Sequence, residues 1–258
     1  MIITDVPDNE IRVFHLSRTE RFGVSSSSNG NQIKWKHGNI FIKQNLLGYE
    51  DVAEVLVSHF LSFTDLKECE YVKYYSCIIY EDEKLIGNGC YSYDYIKDYT
   101  EVSVSSILDS HMLSHGVSYD ELRWFLLDIV GFDVKNYLDK ILSIDSITRN
   151  DDRHFKNISF LYKDGKYICS PIFDNGSSCL SDTVSYPMNI PIEDNFKSVY
   201  AKPFKSIFKY NFVDNKPLVI DYNGFIKSVI VENEFSKRAF KTILLGLKDM
   251  EGISWVRR

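Results

Sequence analysis

A chain of 258 residues that is 44% hydrophobic and 26% charged can bury a large core and divide into two lobes, and it is too apolar for wholesale disorder. Its net charge of −6 argues against nucleic acid or an anionic membrane surface as the main partner, because both reward a basic face. No apolar run approaches the roughly 20 residues that span a bilayer, and the N-terminal MIITDVPDNE does not read as a signal peptide.

The first half of the chain reads mainly as strands. EIRVFHL at 10–16 alternates, and a Ser/Gly-rich stretch follows from Gly23 to Gly30. QIKWKHGNIFIKQ then has the form of a hairpin turning at His37–Asn39, with its second strand over Asn39–Lys43. A helix is predicted from about Tyr49 to Leu61, with Val52, Ala53, Leu56, Val57 and Phe60 on one face. Two further strands are predicted over 70–81 and 85–95, joined by a charged turn at Asp82–Lys84.

From about residue 117 the pattern turns helical: YDELRWFLLDIV and DVKNYLDKILSIDSI carry apolar residues at three and four spacing, with acids near each start. ISFLYKDGKYICSPIF inserts a hairpin with an Asp164-Gly165 turn, and the chain after about 196 is mixed and helical. The expected organisation is an α+β fold of two lobes, a β-rich lobe with one helix over 1–96 and a helical lobe over 97–258. The five cysteines, Cys69, Cys77, Cys90, Cys169 and Cys179, show no C-x-x-C pair or metal spacing, so they read as buried free thiols of a reducing, cytoplasmic compartment.

The chemistry concentrates in DSITRNDDRHFKN (145–157) and PIFDNG (171–176). Asp152 and Asn157 stand five apart on a loop between helix and strand, and Asp174 follows seventeen residues after Asn157, where the hairpin ends. Phosphoryl transfer to a hydroxyl needs a carboxylate to take or orient the proton, and an amide and a second carboxylate to hold Mg²⁺ against phosphates. Each motif alone could be a polar turn; the two in this order supply all three oxygens.

Asn150, Asp152, Arg153, His154 and Asn157, followed by Asp174-Asn175-Gly176, resemble the signature of the HipA-like kinase family, in its short stand-alone form. FIKQNLLGYEDVAEVLVSHFL at 41–61 is similar to that family's strand lysine and following helix. The resemblance implies a two-lobed protein-kinase-like fold that binds ATP and Mg²⁺, with Asp152 as catalytic base and Asn157 and Asp174 as metal ligands. Lys43 would then pair with the nucleotide phosphates. A lysine snorkelling from a sheet edge is the alternative that the residues themselves leave open. Its carboxylate partner is Glu50 or Glu54, one turn apart, and the family pattern favours Glu54. The glycine loop departs from the kinase pattern, for the segment from Gly23 to Gly30 has two glycines seven apart. Family members can autophosphorylate a serine in this loop, which makes Ser25–Ser28, with Ser27 near the phosphates, an expected modification site.

Arg153 and His154 are expected to brace the loop, Asp145 and Asn150 to pin it, and the adenine hinge to fall near Cys90–Tyr95. His111 and His115 form a weak candidate metal pair, since no acid completes it. The acceptor is expected to be a protein Ser or Thr, with a toxin or effector role, an antitoxin or host-protein partner, and delivery to a host cell in the effector case. A phosphoinositide kinase or a silent pseudokinase that binds a partner are the rival readings.

Overall fold

In the computed structural model the described residues are 2–3, 11–22, 32–108, 116–202, 204, 218–250 and 256–257. Five strands form one sheet: β1 (Arg12–Leu16), β2 (Lys34–His37), β3 (Ile40–Gln44), β4 (Tyr75–Glu81) and β5 (Lys84–Tyr93), in the order β1-β4-β5-β3-β2. β1 runs parallel to β4, and the other pairs are antiparallel. Alternation sends Phe14, Leu16, Trp35, Ile40, Ile42, Cys77 and Ile79 into a single apolar cluster on one face. Lys43 leaves from the other face, and Gly89 pairs beside it: a Cβ there would lie 2.1 Å from the Lys43 carbonyl oxygen, so only glycine lets β5 approach β3.

Helix α1 (Glu50–Leu61) packs between this sheet and the helical part of the molecule. Ala53, Leu56, Val57, Phe60 and Leu61 join a core built by α2 (Tyr119–Val130), α3 (Lys135–Thr148) and α4 (Glu234–Asp249). Val55 meets Val72, Tyr74 and Cys90 instead. Burial on two sides leaves Glu50, Asp51, Glu54 and Ser58 inside as well, more than one apolar stripe predicts. Ser118 and Glu121 form a capping box at the start of α2, and Gly131 ends it in the left-handed region. Beneath lies a second sheet of β6 (Thr100–Ser103), β7 (Ser159–Lys163) and β8 (Lys166–Cys169), with the predicted Asp164-Gly165 turn between the last two. Ile2–Ile3 pairs with Val229–Ile230, which ties the first described residues to the C-terminal part.

Three expectations need correction. The strand expected over 70–81 begins only at Tyr75, because residues 70–72 bond elsewhere: Val72 N–H donates to the Ile172 carbonyl and Ile172 N–H to that of Glu70. The turn between the next two strands is Asp82-Glu83, both with positive φ, and Lys84 already belongs to β5. Strand β3 covers Ile40–Gln44 and lies between β2 and β5, so Lys43 is neither at a strand end nor at an edge. The strand β6 has no counterpart in the sequence reading. Cys77, Cys90 and Cys179 are buried free thiols as expected, whereas Cys169 is half-buried and Cys69 exposed. No helix among the described residues is long and apolar enough to cross a membrane.

Candidate active site

Lys43 is 8% exposed, so burial opposes its charge. Its ammonium donates to Glu54 Oε1 at 2.7 Å and to Asp174 Oδ1 at 2.6 Å, with the Tyr74 hydroxyl at 3.4 Å. Against desolvation, Asp174 and then Glu54 raise the lysine pKa well above its ordinary value. Burial likewise works to raise Asp174, but Lys43, then Lys34, pull that carboxyl well below the carboxylate range. Glu54 stays raised, since burial outweighs its pairing. Its second oxygen accepts the Asn175 N–H at 2.8 Å, which joins α1 directly to the DNG segment.

The choice between the two glutamates is thereby settled as contact. Glu54 touches Lys43; Glu50 accepts the backbone N–H groups of Leu46, Leu47 and Gly48 at 3.0, 2.6 and 3.0 Å and fixes the loop entering α1.

The loop after α3 begins at Arg149, a left-handed cap at φ 56°. Arg153, fully buried, links the two motifs. It donates to Asp145 Oδ2 at 3.1 Å, to the carbonyls of Asn157 at 3.1 Å and Phe173 at 2.6 Å, and to Asn175 Oδ1 at 2.7 Å. Asn150 Oδ1 accepts the Asp152 N–H at 3.1 Å, so Asp145 and Asn150 pin the loop as expected. His154 does not brace it through its ring: both ring nitrogens are buried without a hydrogen-bond partner, and Nε2 lies 3.8 Å from Asp152. Asn157 donates its amide NH₂ to the Asp152 carbonyl at 3.3 Å, which commits the nitrogen and leaves Oδ1 as the end that could hold a cation. Asp174 itself sits at φ 59°, a strained conformation for a residue with a side chain.

Asp152, Asn157 and Asp174 line one cleft with Glu50 and Asp182. Asp174 also lines the adjoining pocket, with Lys43, Lys34, Glu101 and the aromatic rings of Phe22, Phe41, Tyr95 and Phe173. Tyr95 stacks on Phe173 at 5.4 Å and 27°. Of the expected hinge, Ser92 and Tyr95 reach this pocket, while Cys90 packs behind Tyr74.

The structure thus gathers Lys43, Glu54, Asp152, Asn157 and Asp174; Ser27, the rest of Ser25–Ser28, His111 and His115 lie outside the described residues. The sequence reading missed Lys202, whose ammonium is 3.1 Å from Asp152 Oδ1 across fifty positions of chain, where no local pattern could signal it. It also missed Glu101, on the unforeseen β6, which accepts from the Ser159 hydroxyl at 2.8 Å and is raised by burial.

No family model and no curated protein matches the chain by sequence. Among solved structures, the crystal structure of the Helicobacter pylori proinflammatory kinase CtkA aligns with TM-score 0.65 and 17% identity over 95% of each chain. HipA in the Shewanella oneidensis MR-1 toxin–antitoxin complex with HipB and operator DNA aligns with TM-score 0.46 and 12% identity, covering 91% of this chain and 65% of that one. A likeness to CtkA that runs nearly end to end, at an identity too low to carry residues across, establishes architecture, and the chain has the mixed α+β, kinase-like fold of that protein.

Proposed function

We propose that the chain is an ATP- and Mg²⁺-dependent protein kinase of the HipA-like type, which transfers the γ-phosphoryl group to a Ser or Thr hydroxyl of a protein. The observation that carries the reading is the convergence of the ion-paired Lys43, Glu54 and Asp174 with Asp152 and Asn157 beside a slot lined by aromatic rings. Fold likeness alone would allow many activities.

The roles follow from chemistry. Asp152 takes the acceptor's proton as the hydroxyl oxygen bonds to the γ-phosphorus, the bond to the bridging oxygen breaks, and ADP leaves with that electron pair. Lys43, held by Glu54, donates to the nucleotide phosphates. The aromatic slot takes the planar base. Asn157 Oδ1 and the Asp174 carboxylate are hard oxygen donors on one cleft, the donor chemistry that Mg²⁺ requires, and these two residues would hold it. Bound Mg²⁺ supplies neutralisation of phosphate charge. Residues 1–96 and 97–258 serve as the two lobes. The resemblance supports autophosphorylation within Ser25–Ser28, a toxin or effector role with an antitoxin or host-protein partner, and a cytoplasmic site of action.

The test is incubation with labelled ATP and Mg²⁺, with the protein alone, with a cell lysate and with phosphoinositide vesicles, read by mass spectrometry. Phosphate on protein Ser or Thr is expected. Transfer to lipid alone would make the chain a lipid kinase, and binding without transfer a silent module.

A further inference from the structure

Lys34 on β2 is the register partner of Lys43 on β3, so both side chains leave the same face of the sheet. The next pair, Trp35 and Ile42, goes to the sheet core with both residues fully buried. Lys34 is half-buried and lines the aromatic pocket together with Lys43, Glu101 and Asp174. The two lysines are differently placed in charge. Lys43 already touches two carboxylates, which leaves that cluster one negative charge in excess. Among the described residues no carboxylate lies within ion-pairing distance of the Lys34 ammonium.

Among the described residues that line this pocket, a polyphosphate therefore meets the carboxylates of Asp174 and Glu101, and Lys43 is already paired with Asp174 and Glu54. We propose that Lys34 is a second phosphate-binding residue, which holds the nucleotide's phosphates from β2 while Lys43 holds them from β3. The assignment deepens the nucleotide-binding reading above and rests on it. It also supplies from a strand part of what a glycine-rich loop supplies in kinases, in a chain whose loop departs from that pattern.

The test is calorimetric titration of the full chain with Mg·ATP and, separately, with adenosine, for the parent, Lys34→Met and Lys34→Arg. Lys34→Met is expected to weaken Mg·ATP binding about tenfold, the size of one charge-assisted contact, and to leave adenosine affinity unchanged. Lys34→Arg should recover most of the loss. The dependence of Mg·ATP affinity on salt should also be shallower in Lys34→Met than in the parent. Unchanged Mg·ATP affinity in Lys34→Met overturns the assignment. An equal loss for Mg·ATP and adenosine overturns it too, since Lys34 then acts on the nucleoside or on the sheet. A parent that binds adenosine and Mg·ATP at no concentration overturns the nucleotide reading itself, and the assignment with it.

Discussion

At the scale of single residues, the charge count around Lys43 separates binding from chemistry. One ammonium faces two carboxylates, and Asp174 is the one held at a strained φ and open to both halves of the cleft. Asp174→Ala and Asn157→Ala should each weaken ATP binding in the presence of Mg²⁺ and leave binding without metal nearly unchanged, because each removes an oxygen donor. Calorimetry with and without Mg²⁺ decides it; full Mg·ATP affinity in Asp174→Ala would reduce the DNG segment to a turn. Asp152 has a different partner set, its own loop and Lys202. Asp152→Ala should therefore lower phosphoryl transfer on the order of 10²-fold or more while ATP affinity holds. Lys202→Met frees the Asp152 side chain from its ammonium partner. The expected result is a fall in kcat of about tenfold with ATP affinity intact, the scale of one hydrogen bond to a charged group. An unchanged kcat would make the pair a surface contact.

At the scale of elements, the legible features are those whose cause is local. Alternation fixes β2 and β3 and sends Lys43 away from Ile40 and Ile42; the Asp164-Gly165 turn fixes the β7–β8 hairpin. Spacing likewise brings Asp152, Asn157 and Asp174 into view, since each motif is short and contiguous. What stays hidden depends on distant chain. β6 exists as a strand because it pairs with β7, and residues 70–72 leave the sheet because Ile172 competes for their backbone. The choice of Glu54 over Glu50 needs the loop whose N–H groups occupy Glu50. Gly89 belongs to this hidden class, for its need is set by β3. In Gly89→Ala the new carbon meets backbone, which cannot swing aside as a side chain would. We expect a loss of about 1–3 kcal/mol in a urea titration, typical of overpacking. ATP affinity should drop several-fold as the Lys43 carbonyl is displaced; parent-like values for both would show that the strands have slack.

For the whole molecule, α1 decides how the parts unfold. Its Ala53, Leu56 and Phe60 belong to the helical core, and its Val55 packs on Cys90 and Tyr74, so opening the sheet side strips one flank of a helix that the other flank holds. The thiols report on this. Cys77 lies in the sheet core, Cys90 beneath Tyr74 and Cys179 in the helical core. Desolvation pushes Cys77 up to about 12 and Cys169 up to about 11, and raises Cys90 and Cys179 as well. In each case the folded state holds its proton to higher pH than the unfolded chain, whose thiols ionise near 9.0. Stability is then fully present below about pH 9 and is lost as pH rises through the folded values, because the unfolded chain binds fewer protons there. The slope is about 1.4 kcal/mol per pH unit for each such thiol. Thermal midpoints should fall between pH 9 and 11, and Cys77→Ala should flatten the fall. At pH 8 a thiol reagent should modify the exposed Cys69 at once. Cys77, Cys90 and Cys179 should follow together, with one rate and one urea dependence. If Cys77 and Cys90 react well before Cys179, the sheet opens by itself, and α1 does not couple the two cores.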